Sequence, residues 1–151
     1  MTGFDPSRVA GLHTGAGERA RRIGRGFVFL WFALGGIAHF AVTRLEMRIV
    51  PPYIGWPRAA VLLSGVCELL GAAGLLYRPT RRAAGVGLFV LTVVVTPANV
   101  YMLQQHDLFH VPYWLLVLRL PVQGAVLTLI AWSAVWPSSA AHSGRPWLTR
   151  E

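Results

Sequence analysis

The sequence predicts an all-α integral membrane protein with four spanning helices. Of its 151 residues, 54% are hydrophobic and only 13% charged, and the mean hydropathy is +0.51. The apolar residues gather in four runs, at 23–42, 59–77, 83–102 and 111–136. Each is close to the roughly 20 residues that a spanning helix needs. The charges lie at the ends and between the runs, which a soluble domain with one amphipathic core would not show.

Taken in order, residues 1–22 are polar, Gly-rich and carry Arg8, Arg19, Arg21 and Arg22, with no sustained periodicity. They read as a mobile tail. Arg21-Arg22 has the form of a twin-arginine export signal, but its surroundings fit poorly and no small-x-small cleavage site follows, so run 23–42 is a retained helix. The loop 43–58 is too apolar for an ordinary solvated loop. Pro51, Pro52 and Pro57 prevent a continuous helix there. Ile49, Val50, Tyr53, Ile54 and Trp56 favour the interface or a place folded over the outer mouth. In the third run Pro97 is expected to loosen a turn beside Asn99. Residues 23–136 thus form one four-span domain, followed by a polar tail at 137–151.

Orientation follows from arginine placement. Ten arginines lie in the N-terminal segment through Arg25, in the second loop (Arg78, Arg81, Arg82) and in the C-terminal tail (Arg145, Arg150). The first loop holds three, Arg44, Arg48 and Arg58, and the third loop none. The excess predicts that both termini are cytoplasmic. The net charge of +8 comes with no lysine. The arginines flank apolar runs instead of forming a face with interleaved aromatics, so nucleic acid is not an expected partner.

One cysteine, Cys67, excludes an intramolecular disulfide and dithiol exchange. On a helix it points about 100° away from Glu68 and reads as a small core or lipid-facing residue. No P-loop, dinucleotide fingerprint, HExxH or G-x-S-x-G is present, so no metal or nucleotide motif is identified. His106 and His110, in HDLFH, are weak metal candidates, and a solvated loop is the simpler reading.

Each spanning run carries polar residues. A carboxylate such as Glu68 at the centre of a span costs about 2.5–3.5 kcal/mol on insertion scales. At 1.5 Å per residue, His39 lies roughly 5 Å from the outer end of its span, Asn99 about as deep, Arg119 roughly 12 Å and Glu68 roughly 14 Å. Gln123 lies one turn below Arg119. All five fall in the outer half. Ser64, Gly65, Glu68, Gly71 and Ala72 share one face of the second helix, and Gly85, Thr92, Thr96 and Asn99 share one face of the third. Such small-residue faces let helices approach closely. These residues define a candidate polar pocket, with Glu68, His39 and Arg119 as catalytic candidates and Asn99, Gln123, Tyr53, Ser64 and Thr96 as ligand-binding ones. The alternative is structural: Glu68 and Arg119 as a buried ion pair, and Asn99 bridging helices.

The pieces GGIAHF (35–40), IVPPYIGWP (49–57), SGVCELLGAAGLL (64–76), TPANVYM (96–102) and LRLPVQ (118–123) together resemble the DoxX-like family of small bacterial membrane proteins. The resemblance covers about residues 24–135. It implies an antiparallel four-helix bundle in the bacterial plasma membrane and carries over to His39, Glu68, Asn99, Arg119 and Gln123. That family takes its name from a thiosulfate:quinone oxidoreductase subunit, and many of its members have no assigned reaction.

Two functions follow as expectations. The first is a pocket for a small lipophilic molecule. In a membrane redox process this would be a quinone or similar lipophile, with electrons supplied by a bound cofactor or a redox partner protein. In acid–base chemistry such as isomerisation or cyclisation, Glu68 would be the acid and no electron carrier would be needed. The second is a non-catalytic membrane anchor or assembly partner of another enzyme, with the polar residues locking helix packing. The expected partners are the bilayer, the lipophilic ligand, the redox protein and a second copy of the chain.

Overall fold

The computed structural model describes residues 6–109 and 111–136, with residues 6–14 as backbone alone. The elements are α1 (Pro6–Ala41), α2 (Thr43–Glu46), a 3-10 turn (Met47–Ile49), α3 (Pro57–Leu76), α4 (Arg81–Val94), α5 (Thr96–Gln104), a second 3-10 turn (His106–Leu108) and α6 (Tyr113–Ile130), which ends in a π-helical turn (Ala131–Val135). No strand occurs among the described residues. Four helical stretches are long and apolar enough to cross a membrane: Gly15–Ala41, Pro57–Leu76, Arg81–Gln104 and Tyr113–Val135. This is the make-up of a multi-pass membrane protein in a lipid environment.

The first helix runs further toward the N-terminus than the apolar run, back to Pro6, where the sequence suggested an irregular tail. Two arginines, Arg21 in this extension and Arg25 just inside the apolar run, tie the helix to the end of the last segment. Arg21 Nη1 donates to the carbonyls of Trp132 and Trp136, both at 2.8 Å. Arg25 Nη1 donates to that of Ser133 at 3.0 Å. Carbonyls at the end of a helix have no intrahelical partner and attract cations. The indole of Trp132 also lies under the Arg21 guanidinium, 5.6 Å from it.

The same device closes α3. Thr80 Oγ1 donates to Gly74 O at 2.9 Å, and Arg81 Nε donates to Leu75 O at 3.2 Å. Pro79 pushes the preceding backbone out of the helical region, which fixes where α3 must stop. At its other end α3 begins on Pro57, whose locked φ suits a first helical turn.

α1 packs most extensively on α3, α3 on α4, and α6 with its π turn on both α4 and α1. The core is drawn from Val28 and Phe32 of α1, Ala72 and Leu75 of α3, Leu88 of α4, and Val126, Ile130 and Ala134 of the last segment. Outward-facing residues are equally apolar: Leu30, Leu34, Ile37, Leu63, Leu70, Val90, Val94 and Leu118 are all exposed. Helices apolar on every side belong in a lipid solvent. The backbones of α1 and α3 touch where glycines face. A Cβ on Gly36 would stand 3.0 Å from Gly65 O, and one on Gly65 would stand 2.7 Å from His39 Cβ.

The segment 43–58 crosses one end of the helices. Its 3-10 turn packs against α3 and α5, and Pro51 is fully buried. The third span is interrupted at Val95, where α4 gives way to α5. Pro97 has no N–H to donate and its ring crowds the carbonyl one turn back, so the helix cannot run through unbroken.

Candidate functional site

The polar residues of the spans gather in two groups, and no hydrogen bond or ion pair among the described residues joins them. The first group lies between α1, α2 and α3. His39 projects from the last turn of α1. Its Nε2 lies 3.4 Å from Glu68 Oε1 of α3, and its Nδ1 meets Glu46 Oε2 of α2. One imidazole therefore stands between two carboxylates. The three side chains are between 13% and 20% exposed.

Local sequence explains the arrangement. Thr43 Oγ1 donates to His39 O at 2.6 Å, which holds the end of α1 and turns the chain into α2. Glycine 35 supplies the room for Glu68, since a Cβ there would stand 2.6 Å from Glu68 Oε2. His39 and Glu68 were legible as intramembrane titratable residues. Glu46 was missed because it falls in a loop segment, where a carboxylate is ordinary. The available signal was its spacing, seven residues or about two helical turns after His39.

The second group lies between α4, α5 and α6. Asn99 Nδ2 donates to Gln123 Oε1 at 2.7 Å. The Gln123 amide nitrogen donates to Thr92 O at 2.7 Å and to Thr96 Oγ1 at 2.6 Å. Thr96 Oγ1 in turn donates to Thr92 O at 3.2 Å. The Val95 break and the network go together: a backbone carbonyl beside the interruption is satisfied by side chains from its own and the neighbouring helix.

The remaining expected residues are placed differently from the sequence reading. Arg119 and Glu68 form no ion pair: Arg119 is exposed on α6, and its Nη1 donates to Met102 Sδ at 3.1 Å. Depth along separate helices could not tell which faces meet, and among the described residues no carboxylate lies within 4 Å of Arg119. Tyr53 is 75% exposed and among the described residues makes no hydrogen bond to either group. Ser64 Oγ donates to Ala60 O of its own helix at 2.8 Å, the back-bond that hydroxyls make when no better partner is in reach.

His106 sits in the second 3-10 turn, with Nε2 3.1 Å from Asp107 Oδ1 and its ring edge-on to Tyr113 at 5.3 Å. His110 lies outside the described residues, as does the tail 137–151.

Residues 28–136 match the model of a family described as Domain of unknown function (DUF8561). The chain belongs to that family. The matched region takes in all of both polar groups and starts after Arg21 and Arg25. No curated protein and no solved structure matches the chain.

Proposed function

We propose that this DUF8561 member is a multi-pass membrane protein that performs acid–base chemistry on a lipophilic molecule, such as isomerisation or cyclisation, through a Glu46–His39–Glu68 proton relay. The observation that carries the reading is an imidazole with a carboxylate oxygen beside each of its nitrogens. Two protons shared among these three groups satisfy both contacts in more than one way. Both can sit on the ring, facing two carboxylates. Alternatively one ring nitrogen keeps its proton while the other accepts from a protonated Glu46 or Glu68. A proton entering at Glu46 can thus leave at Glu68 by one shift across the ring, which leaves the imidazole in its other tautomer until a proton returned to Glu68 drives the reverse shift or the ring flips. Glu68 would give that proton to the substrate and Glu46–His39 would restore it. Histidine is suited to the middle position because its proton exchange falls near neutral pH.

The groups brought together are suited to proton transfer, which either branch requires, and the acid–base branch asks for nothing further from this chain's own residues. The second polar group fits a packing role. Every polar atom of the Gln123 amide is used between helices, which supports the anchor reading for that half of the molecule. The DoxX-like resemblance is compatible with either.

The proposal includes an antiparallel four-helix bundle with both termini on the cytoplasmic face of the bacterial plasma membrane. Opposed pairs support the direction of the helices: Gly74 faces Ala84 while the earlier Gly71 faces the later Leu88, and Gly35 faces Glu68 while the later His39 faces the earlier Gly65. The arginine excess supports the sidedness.

The test is to extract lipophiles from gently purified wild-type and Glu68→Gln protein after growth in deuterated water, and to compare them by mass spectrometry. The expected result is a bound species whose deuterium incorporation depends on Glu68. Identical species and labelling in both would sink the catalytic reading.

A further inference from the structure

Two apolar grooves flank the segment where α1 turns through α2 toward α3. One, of about 550 Å³, is lined by Phe40, Leu45 and Leu62 with Thr43, Arg44 and Arg58. The other, of about 440 Å³, is lined by Met47, Trp56 and Leu62, again with Arg58. They share Leu62 and Arg58 and so meet along one ridge. Neither Arg44 nor Arg58 has a carboxylate within 4 Å or a hydrogen-bond partner among the described residues. Both also sit at a fixed level. Arg44 follows the end of the span Gly15–Ala41 by three residues, and Arg58 is the second residue of the span Pro57–Leu76. The ends of a spanning helix are where lipid headgroups are expected, with hydrocarbon beyond.

We infer that this double groove is a binding site for an anionic diacyl phospholipid. Each groove takes one acyl chain, Leu62 separates the two, and the phosphate is held by Arg44 and Arg58. The occupant is chosen by charge and shape together. Two guanidinium groups with no carboxylate within 4 Å among the described residues call for an anion with several acceptor oxygens, which a phosphodiester supplies. The two apolar grooves that meet at Arg58 and Leu62 call for two hydrocarbon chains on that same anion. A soluble anion would leave the troughs empty, and a zwitterionic lipid would set a choline or ethanolamine cation beside the arginines. The site is independent of the proposed relay, which uses neither arginine and neither groove floor. It touches the relay at one place: Thr43, which lines the larger groove, holds the carbonyl of His39.

The test is native mass spectrometry of the full chain exchanged into mixed micelles with equal amounts of phosphatidylglycerol and phosphatidylcholine. Wild-type protein is expected to retain phosphatidylglycerol preferentially, and millimolar inorganic phosphate is expected not to displace it. The Arg44→Gln/Arg58→Gln variant is expected to weaken that retention roughly 10–30-fold, since each arginine near an anionic surface contributes about a factor of five. The charge-matched Arg22→Gln/Arg78→Gln variant should retain the lipid as wild type does. Leu62→Trp fills the ridge without changing charge and should also reduce retention, which keeps the test open if the double variant fails to fold. Equal retention of the two lipids by wild type, equal loss in both double variants, displacement by free phosphate, or a second copy of the chain in place of lipid would each overturn the assignment.

Discussion

At the level of single residues, the meeting of α1 and α3 decides whether Glu68 can act, and two glycines there predict opposite outcomes. A methyl at Gly65 would meet the Cβ of His39 and the backbone carbonyl of Gly36. Neither can move without displacing a helix. Gly65→Ala is therefore expected to destabilise the protein by about 1–3 kcal/mol, as overpacking does, and a lowered midpoint of thermal unfolding in detergent would register it. A methyl at Gly35 would meet only the carboxylate end of Glu68, which can swing aside. Gly35→Ala should leave the midpoint nearly unchanged yet abolish Glu68-dependent labelling of the bound lipophile. Equal loss of stability in both variants would show that the carboxylate cannot move. The carboxylates themselves are expected to be coupled through the ring: a Glu46→Gln, Glu68→Gln double-mutant cycle should give 0.5–3 kcal/mol, on the order seen for one network, and the coupling should vanish when His39 is leucine.

The elements carry a different kind of determinism. The four spans were legible because bilayer thickness imposes a length and an apolar content that no other constraint imitates. Their ends were legible within two residues where a proline acts, as at Pro57. Pro97 signalled a loosened turn beside Asn99, and the break falls one turn earlier, at Val95; its consequence, the Gln123 amide reaching Thr92 O, was not readable, because sequence distance says nothing of which helix stands opposite. Arg119 illustrates the same limit. Its depth beside Glu68 was readable, whereas its rotation on α6 depends on packing against α4 and α5. Glu46 was invisible for a third reason: its importance arises only when α2 folds back on His39. The network makes its own prediction. Gln123→Leu removes three interhelical bonds and leaves Asn99 Nδ2 and Thr92 O without that partner. A loss of about 1–2 kcal/mol is expected, the upper range for intramembrane hydrogen bonds, with faster hydrogen exchange localised to residues 92–99. Loss spread evenly over α1 and α3 would argue against a local role.

For the whole molecule, arginine does two jobs that are separable by experiment. Arg21, Arg25 and Arg81 close helix ends by bonding to carbonyls, so part of the basic excess that suggests sidedness is also structural. Arg22 and Arg78 have no such bonds among the described residues, and their placement is left to the membrane. The sidedness can therefore be read with a probe placed at one of them. Cys67 is the one native thiol, so a Cys67→Ser background permits single thiols to be placed at will. Tyr53→Cys stands in the exposed part of the first loop, and Arg78→Cys stands just past the end of α3 at the opposite end of that helix. With both termini cytoplasmic, a membrane-impermeant maleimide added to intact cells should label position 53 and leave position 78 unlabelled until the membrane is opened. The reverse pattern would invert the protein and place Glu46, the proposed proton entry, on the cytoplasmic side. Labelling of both positions in intact cells would contradict a span between them. The result also fixes the side from which protons reach the relay, because Glu46 and Tyr53 belong to the same short segment joining α1 to α3.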